Sequence, residues 1–389
     1  MNHYLKTAVT LLLLSFWAAC APDSEYSRVE ELITEVRLYH APDKRIALWE
    51  ISFQDGVLQG ETNLPEAINS LTTKLDQESI SYQNSIALLP EEALGDRNQA
   101  LVTISVANIR SAPRHSSELA TQALLGTPLR VLKKEDTWYL VQTPEGYISW
   151  VDAAGIALKS SEEMNEWIAS EKVVFTEMLG TLYQEAAFNS LPVSDLTAGN
   201  MVKHIATEGN FHLVELPDGR RGFVPRLETI AYGDWIATRE LSDTNLIKTA
   251  KLMMGVPYLW GGTSPKGVDC SGFTKTVYFL NGMIIPRDAS QQVREGEDID
   301  TSAGWDNLEV GDLLFFGVPA SEDAPERVVH VGMWIGDNSF IHSRGRVRIS
   351  SFDPDDENYD EYELNRYLRS KRIRNTTGNH LWKVNSLIQ

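Results

Sequence analysis

The chain of 389 residues is 42% apolar, enough to bury the cores of roughly two to four domains. Its 54 acidic side chains outnumber 35 basic ones and leave a net charge of −19. That balance excludes nucleic acid as a partner, because such binding rests on neutralising phosphates with Lys and Arg. It does not exclude a substrate that carries carboxylates, since a local site can differ in charge from the whole.

The first twenty residues read as an export signal. Lys6 supplies the positive charge and residues 7–19 form an apolar run. The run is too short to span a bilayer, so it fits a signal rather than an anchor helix. It ends in Ala18-Ala19-Cys20, and small residues before a cysteine suggest lipoprotein processing, with Cys20 acylated as the mature N-terminus. Cleavage after Ala21, with Ala19-Cys20-Ala21 as a small-x-small site, is the alternative. On the first reading residues 1–20 are the lipoprotein signal, the protein faces the periplasm, and it touches the membrane only through a lipid anchor. No later segment is long and apolar enough to cross a membrane. With Cys20 lipidated, Cys270 is the only thiol left of the two cysteines. It is then either a buried, inert residue or a reactive one.

Residues 21–98 mix helical and extended patterns and carry no recognisable function. Residues 27–39 have helical spacing at Val29, Leu32, Ile33 and Val36; 46–53 reads as a strand and 64–75 as a helix. An internal repeat follows with an offset of 73 residues. It matches Gly126 to Gly199, Trp138 to Phe211, Leu140-Val141 to Leu213-Val214, Pro144 to Pro217 and Gly146 to Gly219. Each copy has short alternating apolar runs between turn residues, the pattern of a small barrel. The first copy, with its Val106-Ala107-Asn108-Ile109-Arg110 and Gly146-Tyr147-Ile148-Ser149-Trp150-Val151 stretches, resembles a bacterial SH3-like domain. The copies are assigned to residues 99–165 and 166–238, with a helical connector over 160–167.

Residues 239–376 differ in texture. Residues 244–254 have helical spacing, stopped by Gly255 and Pro257. A second helix is expected to begin at Cys270, capped by Asp269, with Phe273, Val277 and Leu280 as its apolar face and Asn281-Gly282 as its end. Strand patterns follow at 313–316, 328–335 and 340–342. Helices followed by antiparallel strands predict an α+β domain; residues 377–389 are left as a C-terminal tail.

The chemistry centres on Cys270. A helix N-terminus presents unpaired N–H groups and favours an anion, so a thiol there is shifted toward the nucleophilic thiolate. The same N–H groups can meet the oxyanion that forms when a carbonyl is attacked. A base is also needed. His330 opens one expected strand and His342 lies on the next, with Asp337-Asn338 at the turn. Side chains alternate along strands, so the two histidines share a face only if the loop is odd or a bulge intervenes. Under that condition His330 pairs with the thiol and His342 orients it, and a thiolate–imidazolium pair is expected. Structural histidines, or zinc held by one Cys and two His, are the alternatives.

Five stretches then resemble the NlpC-type cell-wall peptidases in order and spacing. They are Pro257-Tyr258-Leu259-Trp260-Gly261-Gly262, Asp269-Cys270-Ser271-Gly272-Phe273, Gly311-Asp312-Leu313-Leu314-Phe315-Phe316, His330-Val331-Gly332-Met333-Trp334-Ile335-Gly336 and Phe340-Ile341-His342-Ser343. Residues 286–292 fit the helix that follows the nucleophile helix in that family. The resemblance implies a papain-like α+β fold, a triad of Cys270, His330 and His342, and no cofactor. SH3-like domains ahead of the catalytic domain are similar to the γ-D-glutamyl-L-diamino acid endopeptidases, also called dipeptidyl-peptidase VI. That likeness implies release of L-Ala-γ-D-Glu from peptidoglycan peptide fragments whose L-Ala amine is free. It places Tyr258 near the oxyanion, Trp260, Asp269 and Ser271 in the substrate pocket, and Tyr147 of the first barrel beside them. The acid that holds the amine would fall near Ala120, which makes Glu118 the candidate. An endopeptidase acting on glycan-attached stems, a non-catalytic wall-binding module, and acyl transfer by the same Cys-His pair remain open.

Overall fold

The computed structural model describes residues 24–376, 378 and 380–388, so the signal and Cys20 lie outside the described residues. Among them no helix is long and apolar enough to cross a membrane. The described chain divides into two compact units, residues 24–42 with 49–88, and residues 43–48 with 89–388.

In the first unit the helices Ser24–His40 and Pro65–Gln77 accompany a three-stranded sheet. Val29, Leu32, Ile33 and Val36 are all buried, as their spacing requires, together with Ala67, Leu71 and Leu75. Trp49–Gln54 pairs antiparallel with Val57–Thr62, which pairs in parallel with Gln83–Leu88. The first strand therefore starts three residues later than the pattern suggests. Residues 43–48 instead belong to the second unit, where Ile148 N donates to Arg45 O at 2.7 Å.

The second unit contains two barrel-like sheets of seven strands each. In the first, the order is Ile156–Lys159, Gln99–Val102, Pro128–Glu135, Trp138–Gln142, Ile148–Asp152, Val106–Arg110, Leu119–Leu124. In the second, Thr229–Ala231, Lys172–Phe175, Met201–Glu208, Phe211–Glu215, Arg221–Pro225, Leu179–Tyr183 and Pro192–Thr197 repeat that order. Every strand start is displaced by the same 73 residues that the sequence repeat shows. The connecting helix, Ser161–Ala169, is closed by a capping box between Ser160 and Glu163 and straddles the 165/166 boundary drawn from sequence.

Beyond them, the helix Cys270–Leu280 packs on a six-stranded antiparallel sheet. Its order is Glu297–Ile299, Tyr367–Arg372, Leu313–Val318, Arg327–Gly336, Ser339–Arg344, Arg346–Ser351. Phe273, Val277 and Tyr278 meet Leu313, Phe315, Val331, Met333 and Ile341 in one core. The helix Asp243–Leu252 adds Leu246 and Ala250. Near the end of the described residues, Trp382–Lys383 pairs with Met283–Ile284, and Val384 and Leu387 pack with Trp235.

Candidate active site

Two local devices place Cys270. Asp269 caps the helix, its Oδ1 accepting from Gly272 N at 2.7 Å. Gly272 then lets the preceding loop close on the helix, because a Cβ there would sit 1.9 Å from Gly262 O. The thiol is buried, and the backbone N–H groups of Ser271 and Val331 point at it. Val331 follows His330, so the strand that carries the imidazole also touches the thiol.

The histidine hairpin meets its geometric condition by a bulge. Met333 pairs with Ile341 and Trp334 with Phe340, but Gly336 pairs with Ser339, which leaves Ile335 extra. The turn itself has only two residues, Asp337 and Asn338, at φ 49° and 54°. This is the twist a two-residue hairpin favours, and a bulge beside it restores the shared face. His330 Nε2 lies 2.8 Å from His342 Nδ1, with both rings buried.

Behind His342 stand residues that carry no sequence signal. His342 Nε2 lies 3.0 Å from Ser350 Oγ, which donates to Asp360 Oδ2 at 2.9 Å. Glu363, fully buried, has Oε1 3.8 Å from His330 Nε2 and 3.3 Å from Arg344. Its carboxyl is pushed up by burial, against the pull of Arg366 and Arg344. His330, His342 and Glu363 are the described residues whose ligand atoms cluster as a metal site would. Cys270 is not among them, so the zinc set weighed from sequence is not assembled. A metal would also have to break the 2.8 Å bond between the histidines.

Burial pushes the Cys270 thiol up to about 12, with the Asp269 charge adding to it. Burial likewise holds His330 well below the ordinary 6.5, helped by His342, Arg366 and Arg344. Both shifts favour a neutral thiol and imidazole at rest, against the thiolate–imidazolium pair that helix position alone predicts.

The thiol opens into a cleft of about 510 Å³, within the size range of small-molecule sites. Its walls bring together every pocket residue expected from sequence: Tyr258, Trp260, Asp269, Ser271, Tyr147 and Glu118. Glu118 Oε1 accepts from Trp260 Nε1 at 2.6 Å, which joins the first barrel to the catalytic domain at the rim. Gly261 permits that approach, since a Cβ there would lie 2.1 Å from Leu119 O. Tyr147 is buried with Asp288 near its phenol; burial, then that negative charge, push the phenol up. Burial also raises Tyr258, with Cys270 and Asp269 adding to it, so its hydroxyl stays a donor.

Asp269 is more committed than expected. Its two oxygens accept from the fully buried Arg287 at 3.1 and 2.6 Å, and Oδ2 also accepts from Gly261 N at 2.9 Å. Its charge is therefore offset, and Glu118 is the less encumbered carboxylate. Arg45 is a further wall residue that sequence reading missed. Its guanidinium is held by Asp43 and by Asp288 at 2.6 and 2.8 Å.

Comparison with known proteins fits this architecture. The NlpC/P60 family profile matches residues 255–369, and the bacterial dipeptidyl-peptidase Sh3 domain profile matches 109–156. A γ-D-glutamyl-L-lysine dipeptidyl-peptidase of Bacillus cereus is 33% identical over 239 residues, 59% of this chain and 68% of that protein. Dipeptidyl-peptidase 6 of Lysinibacillus sphaericus is 28% identical over 268 residues, 65% of this chain and 92% of that one. The crystal structure of an NlpC/P60 family protein from Bacillus cereus superposes with a TM-score of 0.60 at 25% identity, covering 71% of this chain and 99% of that one. The fold is thus papain-like α+β with SH3-like barrels, and the protein is a cysteine-type peptidase. The chain belongs to the NlpC/P60 family.

Proposed function

We propose that the protein hydrolyses the γ-D-glutamyl bond to the diamino acid in peptidoglycan stem peptides, releasing L-Ala-γ-D-Glu from fragments with a free L-Ala amine. The observation that carries this reading is the Glu118–Trp260 bond, which fixes a carboxylate at the barrel-side wall of the cleft that holds Cys270. A carboxylate at that end suits an ammonium group. The names and coverage of the dipeptidyl-peptidase relatives support it.

In the proposed reaction Cys270 Sγ attacks the γ-carbonyl carbon as its proton passes to His330. Nε2 of His330 is occupied by His342, so Nδ1 is the nitrogen left for the thiol. Because burial favours the neutral pair, the proton moves as the sulfur attacks. The oxyanion would meet helix N–H groups and the Tyr258 hydroxyl. His330 then protonates the leaving amine, and water hydrolyses the thioester. Ser271 and Asp269 would shape the pocket floor. Depression of the His330 pKa places the acidic limb of kcat/KM below pH 6.5, since the base stays neutral there; a pH–rate profile checks this.

Mass spectrometry of products from L-Ala-γ-D-Glu-diaminopimelate and its N-acetylated form tests the specificity. Dipeptide release from the free form alone is expected, with none from Cys270→Ala. Equal rates on both forms would favour an endopeptidase on attached stems; unchanged release by the variant would remove Cys270 as nucleophile. We also propose export as a lipoprotein acylated at Cys20, checked by loss of palmitate labelling in Cys20→Ser.

A further inference from the structure

We infer that Asp360 is a positioning residue for the peptidase reaction, acting on His330 through Ser350 and His342. This rests on the proposed Cys270, His330 and His342 reading and adds two members behind it. The links are 2.9 Å from Ser350 Oγ to Asp360 Oδ2, 3.0 Å from Ser350 Oγ to His342 Nε2, and 2.8 Å from His342 Nδ1 to His330 Nε2. All four side chains are buried.

The serine link sets the direction of this chain. An ionised carboxylate only accepts, so the Ser350 proton points to Asp360. The Ser350 lone pairs then face His342 and take the proton on Nε2. That leaves His342 Nδ1 as an acceptor for the Nε2–H of His330. His330 is thereby held in the tautomer whose Nδ1 is free to receive a proton from the thiol. With the tautomer reversed, His330 would present N–H to the sulfur and could not act as a base. Arg348 also contacts Asp360 Oδ2, at 2.9 Å. Its Nε donates toward His342 Nε2 at 3.3 Å and competes for that nitrogen, so the tautomer assigned here is the one set by the closer serine link at 3.0 Å. The other charged groups facing the pair are Arg344, Arg366 and Glu363. Asp360 Oδ1 separately caps the short helix Glu361–Leu364 through Glu363 N at 3.1 Å.

Two variants separate the relay from a structural role. Ser350→Ala removes one hydroxyl. Asp360→Asn keeps an oxygen for the helix cap but adds a donor at the end of the relay. Each is expected to lower kcat roughly 10- to 100-fold, less than the ~10⁴-fold loss seen when a carboxylate bonded directly to a catalytic histidine is neutralised. KM should stay within about twofold, and Ser350→Thr should recover most of the loss. The Asp360 charge favours protonated His330, so in Asp360→Asn the acidic limb of kcat/KM should move to lower pH. Iodoacetamide labelling of Cys270 across pH should shift in the same direction. Wild-type kcat and pH profile in both variants would overturn the proposal, and so would parallel losses of kcat, KM and melting temperature. An inactive Cys270→Ala in the same assay keeps a failed relay distinct from a failed peptidase reading.

Discussion

The two barrels repeat each other strand for strand, yet only the first lends side chains to the cleft. Their interiors match at the 73-residue offset: Ile109 with Leu182, Leu129 with Val202, Val141 with Val214 and Val151 with Val224, all buried. The differences sit just outside the strands. Glu118, bonded to Trp260, corresponds to Leu191, which is 71% exposed. Tyr147, in the cleft wall beside Asp288, corresponds to Arg220, whose guanidinium reaches back to Thr103 O at 2.7 Å and ties the second barrel to the first. A barrel is kept by its alternating core, while two positions at its edge decide whether it lines the cleft or braces its neighbour.

Substitutions at these paired positions sharpen or break that contrast. The largest effect is expected for Glu118→Ala. If Glu118 holds the amine as proposed, losing that charged hydrogen bond should raise KM about 10-fold, at the lower end of the range because the site is exposed. Steady-state kinetics on the free tripeptide measures it, and an unaltered KM would move the amine-binding role elsewhere. Next comes Tyr147→Phe, which strips the hydroxyl from Asp288 and should cost about 1 kcal/mol, roughly fivefold in kcat/KM. Arg220→Ala should leave kinetics alone and lower stability by about 1 kcal/mol, read as an earlier urea midpoint. Leu191→Ala should change kcat/KM less than about twofold, as a surface substitution remote from the cleft. If either second-barrel variant raised KM, the division of labour between the copies would be wrong.

What could be read from sequence had local causes. Helical spacing, the Asp269 cap and the Asn281 end are set within a few residues, so the helix that begins at Cys270 runs to Leu280 as expected. The repeat was legible because its turn residues recur at one spacing. The hairpin was legible only as a condition, since period-two alternation cannot say where an extra residue lies. Ser350, Asp360 and Glu363 were not legible. They reach the histidines from the next strand and from a short helix, and nothing in their own neighbourhoods marks a site. Arg287 was hidden similarly: its 2.6 Å pairing with Asp269 spans 18 residues, and it changes what that carboxylate has free to offer. The pairing of Trp382–Lys383 was not legible because its strand is only two residues long.

The extra residue at Ile335 makes this hairpin a matter of counting as much as of chemistry. Side chains around it can drift during evolution, because any residue can occupy the extra place while the pairing holds. A one-residue insertion or deletion between His330 and His342 is another matter. It would send one imidazole through to the opposite side of the sheet, leaving both histidines present in an alignment and apart in space. Related chains should therefore vary here by pairs of residues or not at all. A member with an odd gap should be suspected of having lost its activity even with every motif intact.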